Sequence, residues 1–162
     1  MERSEEKIMA LEIKIYNLLP VKVYIAIDFD VGIDKISFFP LKGKKPSSDK
    51  WIKMDKFVET FYKTGYYYGL PLPLYTEPDK KQMAFLLYLQ NILPGKTKTY
   101  GEVAFEFFGN RNYARATGKL LNKNRWPLLF PCHRVVSKKD IGGFSAGVAI
   151  KEMLLEREKH LR

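Results

Sequence analysis

The sequence predicts an α+β fold, in which a small amino-terminal lobe with an antiparallel β-sheet and a helix precedes a helical carboxy-terminal lobe. Apolar and charged residues alternate in several segments before residue 42, and apolar residues recur at helical spacing after residue 49. Capping signals then precede short helices after residue 78. The chain has 162 residues, 46% of them apolar and 14% aromatic, so it can bury a core and is globular rather than disordered.

The amino-terminal lobe is predicted to contain three strands and one helix. Alternating residues favour strands near 11–16 and 21–29, joined by a turn at Leu19-Pro20, and a third strand near 33–41. These strands predict a small antiparallel sheet. Five apolar residues at helical spacing then predict a helix over about 49–63 that lies on one face of the sheet.

A glycine- and proline-rich stretch separates the two predicted lobes. Residues 65–73 contain three tyrosines between two glycines, followed by two prolines, so a helix cannot continue through them. We therefore assign residues 1–75 to the amino-terminal lobe and residues 76–162 to the carboxy-terminal lobe. The tyrosines form either a stacking platform for single-stranded nucleic acid or, as we favour, an extended connection that packs on the second lobe.

A helix is predicted to open the carboxy-terminal lobe. Pro78 suits the first turn of a helix, and four apolar residues between 85 and 92 have the spacing of one buried face. We expect this helix to stop at Pro94-Gly95, because neither residue supports a continuing helix.

Two short helices around a glycine are predicted next. Thr99 and Glu102 have the spacing of a capping box, which marks the start of a helix of about two turns. Gly109 ends that helix, and Asn110 caps a second helix over about 111–122. This arrangement indicates a helix-turn-helix.

The charge of the chain favours a polyanionic partner such as nucleic acid. The net charge is +10, from 28 basic and 18 acidic residues. Residues 99–162 contain 12 basic and 6 acidic side chains, whereas residues 1–98 contain 16 and 12. The segment 111–125 contains five basic residues and no acid, which makes the second short helix the candidate binding surface. The alternative is a solvated basic face on an ordinary helix.

Small residues on this helix favour the minor groove of double-stranded DNA. Ala114 and Gly118 lie four residues apart, so the backbone can approach a partner closely, and basic residues flank them. The minor groove is only about 6 Å wide, which suits small residues better than base reading by long side chains. The candidate DNA-binding residues are Arg111, Ala114, Arg115, Gly118, Lys119, Asn122 and Lys123. The residues predicted to face the core are Tyr113, Thr117, Leu120 and Leu121.

The single cysteine is the candidate nucleophile. Cys132 is followed directly by His133, one of only two histidines, and follows the apolar run 128–130. A thiol beside an imidazole in a partly dry setting indicates a reactive cysteine, although a lone cysteine can also be a small buried hydrophobe.

The same composition limits other chemistry. One cysteine excludes an intramolecular disulfide and a multi-cysteine zinc site. We therefore expect no metal, no cofactor and a reducing, cytoplasmic setting. The charged start of the chain and its short apolar runs predict neither a targeting segment nor a membrane span.

Several motifs, read together, resemble the O6-alkylguanine-DNA alkyltransferase family. They are Thr99-Tyr100, Ala114-Arg115-Ala116, Asn124, Pro131-Cys132-His133-Arg134-Val135, Gly142-Gly143-Phe144 and Glu158 on the terminal helix. The resemblance covers about residues 78–162, and the pentapeptide around Cys132 is highly specific for that family. Residues 1–75 resemble its variable amino-terminal lobe only in general plan. The resemblance implies a winged-helix-like helix-turn-helix that binds double-stranded DNA. The sequence contains no signal for an oligomer, so we expect a monomer.

The reaction implied by the resemblance is direct-reversal DNA repair. The Cys132 thiolate would take an alkyl group from O6 of guanine, or from O4 of thymine, in a flipped nucleotide and keep it as a thioether. Such transfer is stoichiometric and irreversible, and a soft thiolate suits displacement at a saturated carbon. His133 would take the thiol proton through a water, and Glu158 would hold the imidazole. Neighbouring residues on a strand point to opposite sides, so direct proton transfer between Cys132 and His133 is not expected.

The resemblance also implies roles for residues around the cysteine. Tyr100 would donate a proton to the guanine ring, Arg115 would fill the stack vacated by the flipped base, and Asn124 would join the second short helix to the cysteine segment. The expected pocket residues are Leu121, Pro127, Val135, Gly143, Phe144 and Ser145. The chain departs from the family pattern at Arg125-Trp126 and Ser145-Ala146, which bears on pocket size and on the preferred alkyl group.

Three other functions explain part of the pattern. An alkyltransferase-like lesion-binding protein has the DNA-binding lobe but lacks the cysteine that this chain has. A helix-turn-helix transcription regulator explains the basic helix and leaves Cys132, His133 and Glu158 without a purpose. A Cys-His hydrolase explains the reactive pair and leaves the basic helix unexplained.

Overall fold

The first part of the structure is a three-stranded antiparallel sheet. The structure is a computed structural model and describes residues 4–47 and 49–161, so the start of the predicted charged segment lies outside the described residues. Its first elements are α1 (Glu5–Ala10), β1 (Glu12–Leu18), β2 (Val21–Asp28) and β3 (Gly32–Ser37). The strands pair in the order β1-β2-β3, which confirms the predicted antiparallel sheet. The sequence analysis did not predict α1, which Ser4 caps by accepting from the Lys7 N–H.

A helix covers one face of this sheet. Helix α2 spans Ile52–Thr64, and its buried Met54, Phe57 and Phe61 pack into the same cluster as the inward side chains of β2. Burial of each such side chain stabilises the fold by about 1.5–3 kcal/mol. The helix begins later than predicted because residues 49 and 50 form a turn that leads to Trp51. It ends at Gly65, whose positive φ of 70° suits glycine.

The connection after α2 differs from its prediction. Tyr67 packs edge-on against Phe57 of α2 at a centroid distance of 4.9 Å, whereas Tyr66 and Tyr68 are exposed. The prediction that these tyrosines pack on the second lobe is therefore wrong for Tyr66 and Tyr68, whereas Tyr67 packs against the shared apolar cluster. An aromatic partner on α2 lies closer along the chain than any surface of the later helices.

Helix α3 spans Lys80–Leu89 and is shorter at both ends than predicted. Asp79, and not Pro78, begins the helix as its N-cap, because the Asp79 carboxylate accepts a hydrogen bond from the Gln82 N–H at 2.8 Å. The helix ends at Leu89. The next residue, Gln90, is buried, and its side chain forms hydrogen bonds with the backbone of Gly69 and with the Leu129 carbonyl. Ile92 is buried as expected, although it lies beyond the helix.

The next helices follow the predicted capping pattern closely. Helix α4 spans Tyr100–Phe108 and begins with a capping box between Thr99 and Glu102. Gly109 ends it in the left-handed conformation at φ 80°. A 3₁₀ turn at Arg111–Tyr113 leads into α5, Ala114–Asn122, so the predicted second helix begins with a tighter turn. The helix-turn-helix interpretation of α4 and α5 stays a prediction.

The last elements bring the cysteine segment beside α4. Strand β4, Lys98–Thr99, pairs in parallel with β5, Val135–Val136, and α6 spans Val148–Lys159. One apolar cluster includes Ile25 and Phe57 from the first half of the chain together with Phe85, Phe130 and Leu154 from the second half. Side chains from both sides of the predicted lobe boundary therefore share this cluster. The division of the chain between residues 75 and 76 stays a prediction.

Candidate active site and the basic helix beside it

Cys132 lies in a short 3₁₀ turn and not on a strand. The turn spans Cys132–Arg134 and follows Pro131, and the Cys132 N–H donates to the Phe130 carbonyl at 2.7 Å. The expectation that Cys132 and His133 alternate on a strand is therefore wrong, because the pairing with β4 begins only at Val135. Cys132 is partly exposed, and its side chain lines a cleft.

The surroundings of the thiol keep it protonated at neutral pH. Burial raises the pKa of Cys132 to about 11, although a hydrogen bond with the Asn124 side chain and the charge of Lys151 act in the opposite direction. Asn124 is itself held in place, because its amide donates to the Phe130 carbonyl at 2.9 Å and its oxygen accepts from the Trp126 N–H at 3.0 Å. Asn124 therefore joins the end of α5 to Phe130, two residues before Cys132.

His133, the residue after the cysteine, forms a buried pair with Glu158. The His133 Nε2 lies 2.6 Å from Glu158 Oε1, and both side chains are almost fully buried. Burial alone would raise the pKa of Glu158, but contacts with His133 and Arg134 outweigh it and bring the pKa to about 2. Burial lowers the pKa of His133, so the imidazole is neutral at pH 7.

The tautomer of His133 follows from this pair. An ionised carboxylate only accepts hydrogen bonds, so the neutral imidazole donates its Nε2–H to Glu158 and carries a lone pair on Nδ1. Nδ1 is buried and has no hydrogen-bond partner among the described residues. An unpartnered ring nitrogen next in sequence to the thiol is a suitable general base.

Arg134 is a site residue that the sequence analysis did not single out. Its Nε lies 3.0 Å from each carboxylate oxygen of Glu158, and its Nη1 donates to the Ile92 carbonyl at 2.7 Å. Its Nη2 donates to the Gly65 carbonyl at the end of α2. Arg134 therefore orients Glu158 and links the base to the first half of the chain. Its place inside the pentapeptide around Cys132 was the available signal.

Lys151 is the second residue that was missed. Its side chain is buried, and its ammonium donates to the Val135 carbonyl at 2.7 Å and to the Gly143 carbonyl at 3.0 Å. The lysine thereby ties α6 to the cysteine segment and to the loop after it. On α6, Lys151 shares a face with Leu154 and Glu158, and a lysine on a buried face was the signal in the sequence.

Tyr100 reaches the cleft from the first turn of α4. The backbone of Gly143 acts to lower the pKa of the Tyr100 phenol, but the larger effect of burial raises it. Burial raises the pKa of Tyr100, so the phenol is a proton donor at neutral pH. A Cβ atom on Gly142 would lie 3.0 Å from the phenol oxygen, so glycine there makes room for Tyr100.

Cys132 and Tyr100 line one open cleft of about 570 Å³. Its lining combines predicted catalytic, DNA-binding and pocket residues: Tyr100, Ala114, Arg115, Gly118, Leu121, Asn122, Cys132, Gly143, Phe144 and Ser145. The structure thus brings the thiol and the small-residue strip of α5 to the same surface. A larger groove of about 940 Å³ lies along α6 and contains none of these residues.

The remaining predicted residues lie outside the cleft. Pro127 lines a neighbouring groove that also contacts Phe144 and Ser145, and Val135 is buried, with its carbonyl bonded to Lys151. The exposed basic residues on or next to α5 that do not line the cleft are Arg111, Lys119 and Lys123. Tyr113 was assigned to the core, but it is 50% exposed because it belongs to the 3₁₀ turn before α5 and not to the helix, and it stacks on Phe108.

Among residues 4–47 and 49–161, no three histidine, cysteine, aspartate or glutamate side chains come together as metal ligands. In the same part of the chain, every helix is too short or too polar to cross a membrane.

Comparison with known proteins places the chain in a family. The family model described as 6-O-methylguanine DNA methyltransferase, DNA binding domain, matches residues 80–160. A methylated-DNA--protein-cysteine methyltransferase of Methanosarcina acetivorans is 30% identical over 135 residues, which cover 78% of this chain and 85% of the relative. The enzyme of that name from Methanocaldococcus jannaschii is 39% identical over 92 residues, or 57% of this chain and 50% of the relative.

Solved structures agree on the fold. The chain is similar to Mycobacterium tuberculosis OGT in complex with DNA, with a TM-score of 0.70, 20% sequence identity and coverage of 92% of both chains. It is also similar to the O6-methylguanine-DNA methyltransferase of Pyrococcus kodakaraensis, with a TM-score of 0.56, 22% identity and coverage of 91% of this chain and 98% of that one. With the family model and the relative from Methanosarcina, these findings show that the chain belongs to the 6-O-methylguanine DNA methyltransferase family.

Proposed function

We propose that this protein repairs O6-alkylguanine in double-stranded DNA by moving the alkyl group to its own Cys132. The observation that carries the proposal is the position of the thiol. Cys132 lines a cleft between Tyr100 and the small residues of α5, and the next residue, His133, is paired with Glu158. Family membership supports DNA as the partner and alkyl transfer to cysteine as the reaction.

The thiol must lose its proton before it can attack. Its pKa of about 11 leaves about one molecule in ten thousand as thiolate at pH 7, so a base is required. We assign this role to the Nδ1 lone pair of His133, which accepts the proton through a bridging water, while Glu158 stabilises the imidazolium that forms. The nearby ammonium of Lys151 favours the thiolate electrostatically.

The transfer is a displacement at the saturated carbon of the alkyl group. The sulfur–carbon bond forms as the bond from that carbon to O6 breaks, and the electron pair goes to guanine. Tyr100 gives a proton to the ring as negative charge develops there, which makes guanine a better leaving group. Each protein molecule reacts once, because no group in this reaction breaks the thioether, so repair is stoichiometric and irreversible.

The target base must leave the stack to reach Cys132. Turning one nucleotide out of a duplex costs a few kcal/mol, and contacts along α5 offset this cost. We propose that α4 and α5 act as a winged-helix-like helix-turn-helix in the minor groove, where Ala114 and Gly118 permit close approach. Arg115, which is exposed at the cleft, fills the space left by the flipped base.

The remaining parts of the proposal concern scope. O4-alkylthymine presents an alkyl group at a comparable position and is a second substrate. A single copy contains every group that the reaction uses, so the protein acts as a monomer. A free thiol with this role requires a reducing compartment, which is the basis for placing the reaction in the cytoplasm.

Intact-mass measurement after incubation with an O6-methylguanine duplex tests the proposal. We expect a gain of one methyl group per protein molecule, and none for Cys132→Ala. Repeated release of product by unmodified protein would instead indicate a hydrolase. Tight lesion binding with no change in mass would indicate a lesion sensor, and equal binding to undamaged duplex without any gain in mass would indicate a transcription regulator.

The role of Arg115 has its own test. Arg115→Ala should slow repair of the duplex more than it slows reaction with free O6-benzylguanine, because only the duplex has a stack to fill. Equal losses with both substrates would contradict this role.

A further inference from the structure

The first turn of α3 extends the basic surface of α5 on the side away from the cleft. Gln82 of α3 donates to the carbonyl of Lys123 at the end of α5, at 3.5 Å. At the other end of α5, the Lys81 ammonium lies 5.0 Å from the ring centroid of Phe108, which stacks on Tyr113 at 5.2 Å. Two adjacent side chains in the first turn of α3, Lys81 and Gln82, therefore reach towards the two ends of α5.

This side of the molecule carries four exposed lysines. We call them the lysine surface: Lys80, Lys81, Lys119 and Lys123. Lys119 and Lys123 lie one turn apart on or just after α5, so they share a face. Two exposed acids, Glu77 and Asp79, lie just before α3, and Asp79 is occupied as the helix cap. The net charge of the surface is positive.

The Lys81 ammonium lies over the face of an aromatic ring. A cation above an aromatic ring is attracted to it by about 0.5–1 kcal/mol at an exposed site. The ring of Phe108 is held in turn by Tyr113 and by Phe107, which packs on it edge-on at 5.0 Å. A row of aromatic rings thus supports the Lys81 side chain at the surface.

Helix α5 has a different partner on each of its two sides. Ala114, Gly118 and Leu121 line the cleft with Cys132, whereas Lys119 and Lys123 lie further round the helix, where Gln82 of α3 reaches the Lys123 carbonyl. A helix in the minor groove has one DNA strand on each side. The strand with the lesion must pass over the cleft, since its flipped nucleotide enters there, and the complementary strand then passes over the lysine surface.

We propose that the lysine surface binds the phosphates of the complementary strand, opposite the flipped nucleotide. The inference rests on the proposed function and adds an assignment of each DNA strand to one side of α5. The contacts hold the undamaged strand in place while one nucleotide of the other strand is turned out. They act on duplex affinity and not on the chemistry at Cys132.

Salt-dependent binding tests the contacts. In Lys81→Gln and Lys123→Gln, affinity for an O6-methylguanine duplex should fall about three- to tenfold per lysine, and the slope of log affinity against log salt should fall by about 0.9 for each lost phosphate contact. Lys53→Gln is the matched control, because Lys53 is exposed on α2 and its loss removes the same charge. The rate with free O6-benzylguanine should stay unchanged in Lys81→Gln and in the Lys53→Gln control.

Uncharged methylphosphonate linkages test the strand assignment. Placed in the complementary strand, they should weaken binding by the wild-type protein but not weaken it further in the Lys81→Gln/Lys123→Gln double variant. Equal further weakening in both proteins, or an effect confined to linkages in the lesion strand, would overturn the inference. If the wild-type protein gains no methyl group from any substrate, the proposed function fails, and this outcome is distinct from a change confined to duplex affinity.

Discussion

At the scale of single residues, the pKa of the Cys132 thiol sets the pH dependence of alkylation at this residue. Burial favours the uncharged thiol over the charged thiolate, and this raises the pKa of Cys132 to about 11. The rate of alkylation by a small reagent such as iodoacetamide should therefore rise about tenfold per pH unit from about pH 7 to about pH 10.

Asn124→Ala should shift this profile to still higher pH, because the variant loses a hydrogen bond that favours the thiolate. The ultraviolet absorbance of the thiolate, followed during a pH titration, measures both profiles. A plateau below about pH 9 in the wild-type protein would contradict the assigned thiol environment.

Arg134 is expected to control the protonation of His133. The charged groups that face His133 are Glu158, which raises its pKa, and Arg134 and Lys151, which lower it in addition to the larger effect of burial. Arg134→Met removes one lowering charge and leaves the Glu158 carboxylate without its arginine. The pKa of His133 should rise, and the imidazolium that then forms near neutral pH cannot accept the thiol proton.

The measurements are an NMR titration of the His133 ring and the pH profile of alkyl transfer. In Arg134→Met we expect slow transfer at neutral pH that recovers as the pH rises. Arg134→Lys keeps the charge, so its pH profile should resemble that of the wild type even if its rate is lower. A His133 titration that is the same in Met and Lys variants would show that Arg134 acts only on packing.

At the scale of elements, two glycines have the same backbone conformation but different surroundings. Substituting each of them distinguishes the effect of backbone strain from the effect of a changed site geometry. Gly142 and Gly109 have φ values of 78° and 80°, a region that costs a non-glycine residue about 1 kcal/mol or more. A Cβ atom on Gly142 would lie 3.0 Å from the Tyr100 phenol oxygen, whereas one on Gly109 would meet no atom within 4 Å.

Gly142→Ala and Gly109→Ala should both lower the thermal unfolding temperature. Only Gly142→Ala should slow alkyl transfer, by about tenfold or more, because it displaces the proposed proton donor. The measurements are the thermal unfolding temperature and the second-order rate constant of alkyl transfer for both variants. An equal loss of rate in Gly109→Ala would show that the effect comes from general destabilisation.

At the scale of the whole molecule, the two predicted lobes should unfold together. The Trp126 indole donates to the Ile33 carbonyl at 3.0 Å, the Ile36 N–H donates to the Arg125 carbonyl at 3.0 Å, and Arg134 bonds Gly65. These bonds and the shared apolar cluster join residues from both sides of the predicted boundary.

Trp51 and Trp126 are both buried and lie one in each predicted lobe, so they report on each part separately. In Trp51→Phe and in Trp126→Phe, the fluorescence of the remaining tryptophan and the far-ultraviolet circular dichroism should change at the same denaturant concentration. Fluorescence transitions that precede or follow the loss of secondary structure would indicate lobes that unfold independently.

Features that depend on neighbouring residues were predictable from the sequence. The alternation of apolar and charged residues in 11–41 predicted the strands of the sheet. Thr99 with Glu102 predicted the start of α4, and Gly109 predicted its end. Each of these features depends on contacts within a few residues. The Cys132-His133 dipeptide likewise indicated a reactive thiol without any knowledge of the fold.

The tertiary structure alone decided which distant groups meet. Arg134 and Lys151 became buried site residues, and Tyr113 became exposed, because their surroundings are formed by elements far away in the chain. The sequence by itself thus determined the nucleophile, the basic helix and the local starts and ends of helices. Only packing decided the charge balance around His133 and the side of α5 that faces the cleft, since burial and electrostatics depend on every element that surrounds a group.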